Sequence, residues 1–157
     1  MKKPYIISFF IDEVPIIETM HIFSKIQEII PQYFREHEKI YFLHCADNVT
    51  EGFAHKAVIN VRNDFSQENY LTVKVYPYCY KGYIRCVKNN QIGSLYYEKH
   101  LSFRGAYSGD KETAYITRNK KMADMSDLLF FFIKEQGSLS DETLKYAQKL
   151  GKEIVFL

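Results

Sequence analysis

The chain is 157 residues long, 46% hydrophobic and 16% aromatic, with a formal net charge of +2. Those values describe one compact domain with a real core and exclude a disordered segment. With so small a charge, and no basic run longer than Lys2-Lys3 or Lys120-Lys121, they also argue against a nucleic-acid partner.

Tyr5 to Ile11 is a continuous apolar run, as in a strand buried on both faces, and Asp12, Glu13 and Pro15 end it. Together with Pro4, those acids break the apolar run too early for a signal peptide. No stretch approaches the roughly 20 apolar residues that cross a bilayer, so no membrane partner is expected. Ile16, Met20, Phe23, Ile26 and Ile30 follow at helical spacing, predicting a helix to about Phe34 that Pro31 kinks or stops. Ile40 to His44 reads as a second strand, Ala46 to Thr50 as a turn with capping residues, and Glu51 to about Val61 as a second helix. Leu71 to Tyr76 is a third strand, stopped by Pro77.

Residues 77–112 are rich in Tyr and Gly and show no sustained period. The segment is too long for an ordinary connection and reads as an insertion or lid, with room for a hairpin from Tyr83 to Val87 turning at Asn89-Asn90. A helix from about Thr113 to Ser126, a strand Leu128–Ile133, a helix Asp141–Leu150 stopped by Gly151 and a strand Glu153–Phe156 complete the chain. Alternating helices and apolar strands predict a single α/β Rossmann-like domain over 1–157, with a parallel sheet of about five strands and helices on both faces. Cys45, Cys79 and Cys86 are odd in number and lack a Cys-x-x-Cys motif, as expected of reduced thiols in the cytoplasm. Cys45 and His44 make a poor metal pair because adjacent strand residues point to opposite faces. No metal and no cofactor is expected.

On a helical wheel, Tyr115, Ile116, Met122, Ala123 and Met125 share one arc, and Thr117, Lys120, Lys121 and Asp124 share the other. Arg118 and Asn119 fall inside the apolar arc. A buried guanidinium needs an anion, supplied by this protein or by a ligand, unless its stem snorkels to water. In the loop before the last helix, Gly137 permits a tight turn, Ser138 or Ser140 can cap the helix, and Thr143 faces inward. Free N–H groups there would suit a phosphate, although Asp141 and Glu142 argue mildly against one.

Other candidates are plainer. Tyr76 opens a run of four tyrosines in which a ring could stack on a base or simply pack the loop. His44 ends the second strand at the presumed ligand edge, and Glu51 opens the second helix as a cap or as a general base.

The stretch from Arg118 to Leu157 resembles the C-terminal half of the SLOG superfamily, Rossmann-like proteins related to DprA and the lonely-guy phosphoribohydrolases. It is most like the branch of uncharacterised bacterial SLOG-type proteins. The resemblance rests on Arg118-Asn119-Met122, Ser126-Asp127, Gly137-Ser138 with Thr143, and Ala147 through Gly151-Lys152 to Val155. The first turn departs from the family in keeping only Gly52. Tyr146 stands where the phosphoribohydrolases have their catalytic Glu, so that hydrolysis is not supported.

The resemblance implies a pocket for a nucleotide or nucleotide-derived small molecule, sensed or sequestered, with Arg118 on a phosphate and Asn119 on a ribose or base edge, or tying its helix to the 137–140 loop. Gly137, Ser138, Ser140, Thr143, His44 and Tyr76 would complete the ligand-binding set. One alternative is an N-glycosidic hydrolase or transferase with Glu51 or Glu142 as the catalytic carboxylate. Another is a protein-interaction module built on the Tyr-rich segment. A homo-oligomer stays open.

Overall fold

The computed structural model describes residues 2–65, 69–77, 99–102 and 111–157. Six strands form one sheet: β1 (Tyr5–Ile11), β2 (Ile40–His44), β3 (Tyr70–Tyr76), β4 (Lys99–Ser102), β5 (Leu128–Phe132) and β6 (Glu153–Phe156). The order is β4-β3-β2-β1-β5-β6, and every pairing is parallel. The chain therefore winds outward from β1 to β4 on one side and returns to β5 on the other, which makes β1/β5 the topological switch point.

Among the described residues, four helices cover the sheet: α1 (Ile16–Glu36), α2 (Val49–Phe65), α3 (Lys111–Met125) and α4 (Leu139–Lys149). Side chains alternate across each strand. Ile7, Phe9 and Ile11 of β1 pack with Phe42, Phe130 and the inner faces of α1 and α2. Ile6 and Phe10 pack on the other face with Leu43, Leu129, Phe131, Met122 of α3 and Ala147 of α4. Parallel register puts His44, Phe9 and Phe130 in one row, with ring centroids 4.8 and 5.2 Å apart.

Pro31 does not end α1, which continues to Glu36. Burial of Tyr33 and Phe34 holds the last turn, and the Tyr70 hydroxyl lies 2.9 and 2.8 Å from the Phe34 and His37 carbonyls. The segment expected to be wholly an insertion contributes β4, which pairs with β3. The hairpin at 83–87 and the rest of the Tyr-rich stretch lie outside the described residues. Among the described residues, no helix is long and apolar enough to cross a membrane.

Candidate functional site

Four loops and helix starts meet beyond the carboxyl ends of β1, β2 and β5. The β2–α2 turn is built by Asn48, whose Oδ1 accepts from Glu51 N (2.9 Å) as an N-cap and whose Nδ2 donates to the Ile11 carbonyl (3.0 Å). Glu51 reaches back so that its Oε2 accepts from Asp47 N at 2.7 Å. Ala46, between strand and cap, sits at φ 51, the left-handed region that a non-glycine residue adopts at a cost of about 1–2 kcal/mol.

This turn presents Asp47 to α3. Arg118 is completely buried, and both carboxylate oxygens of Asp47 accept from it: Oδ1 from Nη1 at 2.9 Å and Oδ2 from Nη2 at 2.5 Å. Its Nε donates to Asn119 Oδ1 at 3.0 Å, and its guanidinium carbon lies 4.9 Å from the Tyr115 ring centroid. Burial opposes the guanidinium charge, but Cys45, Asp47 and Glu51 around it more than offset that, so its pKa is held above the ordinary value. Asp47 carries that effect, because burial raises the Cys45 thiol well above its usual range and keeps it neutral. The anion that the helical wheel demanded for Arg118 is thus present within the chain, in a fork geometry suited to carboxylate or phosphate.

Asn119 joins α3 to α4. Its Nδ2 donates to Thr143 Oγ1 at 3.1 Å, and that hydroxyl donates to the Leu139 carbonyl at 2.8 Å. Cys45 approaches the same amide oxygen at 3.6 Å. Arg118, Asn119 and Thr143 are therefore brought together, as one hydrogen-bonded chain beneath the surface.

The β5–α4 loop holds its own anion. Asp12 Oδ2, at the end of β1, accepts from Lys134 N (2.8 Å), Glu135 N (3.2 Å) and Ser138 Oγ (2.9 Å). Ser138 caps α4 by accepting from Asp141 N, and Asp141 Oδ2 takes Gly137 N at 2.8 Å. The Gly137 and Asp141 amides, two of the donors that could meet a phosphate at this helix start, thus already have carboxylate or hydroxyl partners.

In front of these networks lies a cleft of about 520 Å³, lined by Asp47, Glu112, Tyr115, Ile116, Gly137, Leu139 and Glu142. Of the expected site residues, Gly137 and Glu142 line it. Arg118, Asn119 and Thr143 sit behind the lining, and Ser138 and Ser140 are half-buried and buried in the cap of α4. His44 and Tyr76 are buried elsewhere: His44 faces α2, stacked on Phe9 and edge-on to His55, while Lys74 lies over the Tyr76 ring. Glu51 is buried beneath the turn. Desolvation and then the Asp47 charge push its carboxyl up to about 8, so it is largely protonated at neutral pH.

Asp47, Asp12 and Tyr115 escaped the sequence reading as site residues. Asp47 and Asp12 each follow closely on a strand's carboxyl end, which in this fold is the signal that could have found them. Among the described residues, no cluster of three or more His, Cys, Asp or Glu could hold a metal ion. The lining can accept hydrogen bonds from hydroxyl or amino groups at Asp47 and Glu142, and can pack a ring against Tyr115, Ile116 and Leu139.

No protein-family model and no curated protein matches the chain. Solved structures do. The X-ray structure of DNA processing protein A (DprA) from Streptococcus pneumoniae matches with a TM-score of 0.63 at 13% identity, over 98% of this chain and 50% of that one. A structure of DprA from Helicobacter pylori, described for its single-stranded DNA binding mode, matches with a TM-score of 0.60 at 12% identity, over 98% of this chain and 65% of that one. The chain thus spans half of one neighbour and about two thirds of the other, and the likeness establishes a Rossmann-like α/β fold similar to that of DprA. It also overturns one expectation. The small net charge argues against a nucleic-acid partner, yet a neighbour in fold binds single-stranded DNA. Net charge sums the whole chain and says nothing of how charge is arranged on one face.

Proposed function

We propose that the domain binds a nucleotide or nucleotide-derived small molecule in the cleft beside the switch point, holding it chiefly by its nucleoside part. The cleft carries this reading: it lies where open α/β sheets take ligands, and its Asp47 and Glu142 carboxylates suit sugar hydroxyls while Tyr115 and Leu139 suit a base. Glu142 is exposed and has no part in the core, so its removal tests the site without testing the fold.

Nucleosides, nucleoside monophosphates and dinucleotides are titrated by thermal shift and calorimetry. Stabilisation by millimolar nucleoside, weakened several-fold in Glu142→Ala, is expected. No stabilisation by any of them at that concentration rejects the reading.

A second reading, binding of single-stranded DNA, is favoured by the H. pylori neighbour. Short oligonucleotides enter the same titration. Binding of the oligonucleotides alone, falling with added salt, selects it. The N-glycosidic alternative requires base release that Glu142→Gln abolishes, since Glu51 is buried and largely protonated.

A further inference from the structure

We propose that Asp47 is a displaceable internal anion: it occupies the fork of Arg118 in the empty domain and yields it to a phosphate group when ligand enters the cleft. Asp47 both lines the cleft and makes the ion pair with Arg118. The guanidinium is fully buried and the Asp47 side chain is 20% exposed, so the carboxylate stands as a partition between the cleft and the cation. Turning that one side chain outward joins the two spaces.

The guanidinium itself is held independently of Asp47. Asn119 Oδ1 accepts from Nε, and Tyr115 flanks the plane at 4.9 Å. Its two terminal nitrogens therefore stay presented in the planar fork that fits carboxylate and phosphate alike.

The segment carrying Asp47 is set under tension rather than at rest. Ala46 at φ 51 occupies a region that L residues leave when free to, and a relaxed turn would release that strain. The ion pair and the bond from Asp47 N to Glu51 Oε2 hold the Asp47 end of the turn, while Asn48 fixes the end next to α2.

On the nucleotide reading of the cleft, the displacing group is the phosphate attached to the bound nucleoside. Wild-type protein then takes nucleoside readily and phosphate poorly, because the tethered carboxylate competes at a high effective concentration.

The test uses inorganic phosphate, with chloride at matched ionic strength as control, on the wild-type chain, Asp47→Ala and Asp47→Ala/Arg118→Met. Phosphate should bind Asp47→Ala at least ~10-fold tighter than wild type, and the double variant should lose the gain. If folded Asp47→Ala gains nothing, Asp47 is a fixed structural partner and the proposal fails. If Asp47→Ala is unfolded without phosphate, tens of millimolar phosphate should restore its circular dichroism while chloride does not; failure to restore it overturns the proposal equally. Nucleoside binding to wild type without any phosphate gain in Asp47→Ala rejects the displaceable anion and leaves the cleft reading intact. A phosphate gain without nucleoside binding does the reverse.

Discussion

Removing the two partners of the buried ion pair should damage the protein unequally. Asp47→Ala removes the partner of a guanidinium that is fully buried in the intact domain; leaving one member of a buried pair alone costs about 3–5 kcal/mol, and cleft water entering the gap brings the cost to the lower end. Arg118→Met leaves a carboxylate that already lines the cleft and can turn into it, while methionine keeps most of the stem's packing. What is lost is mainly the donor to Asn119 Oδ1, on the order of 1–2 kcal/mol. The gap is about 2 kcal/mol, and in a domain of this size each kcal/mol moves Tm by about 2–4 °C. Asp47→Ala should thus melt about 4–8 °C below Arg118→Met. Removing both charges together should recover most of the Asp47→Ala loss. Thermal and urea unfolding in phosphate-free buffer, followed by circular dichroism since the chain has no Trp, measure all three. An Arg118→Met as damaging as Asp47→Ala, or a double variant at the sum of the singles, would refute the argument from burial.

Two further expectations concern the residues behind the cleft. Burial, then the Asp47 charge, raises Glu51 from 4.5 to about 8, so its contribution to stability is complete below about 4.5 and is lost as the pH rises through about 8. Denaturation midpoints should decline across that window in wild type and stay level in Glu51→Gln; an undiminished decline in the variant would show that another group is responsible. Thr143→Val keeps the side chain's shape but strands the Asn119 amide that donates to it at 3.1 Å, for an expected loss of about 1–3 kcal/mol in urea titration. A loss within the scatter of a surface substitution would mean that this bond contributes nothing.

How much of this was legible in the chain depends on the distance over which each feature is decided. β1, β2 and β6 occupy the expected residues because apolar runs and their breakers are local. The starts of α2 and α4 come earlier than expected, at Val49 and Leu139, because Asn48 and Ser138 are the caps that close on the backbone. β4 was missed: four residues with little apolar character at a sheet edge carry no pattern of their own, and only pairing with β3 makes them a strand. The burial of Arg118 was readable from its place on the wheel. Its partner was not, because Asp47 is 71 positions away in a capped turn and only the parallel register of β1, β2 and β5 carries it there. His44 is the opposite case: it does end β2, as its sequence position suggests, but strand alternation turns it to the α2 face, away from Cys45 and Asn119.

Asp12 has a consequence for how the cleft can work. Its carboxylate leaves β1 and gathers two amides and a hydroxyl from the far side of the switch point, so the ends of β1 and β5 are laced into one piece. That wall is a fixed jaw. Across from it, the β2–α2 turn is tied to β1 by Asn48 and meets α3 through the Asp47 ion pair and the Cys45 thiol, with Ala46 in a strained backbone region between them. On the displaceable-anion proposal, the part of this frame that gives way is a single side chain, that of Asp47, and the backbone on both sides of the cleft stays in place.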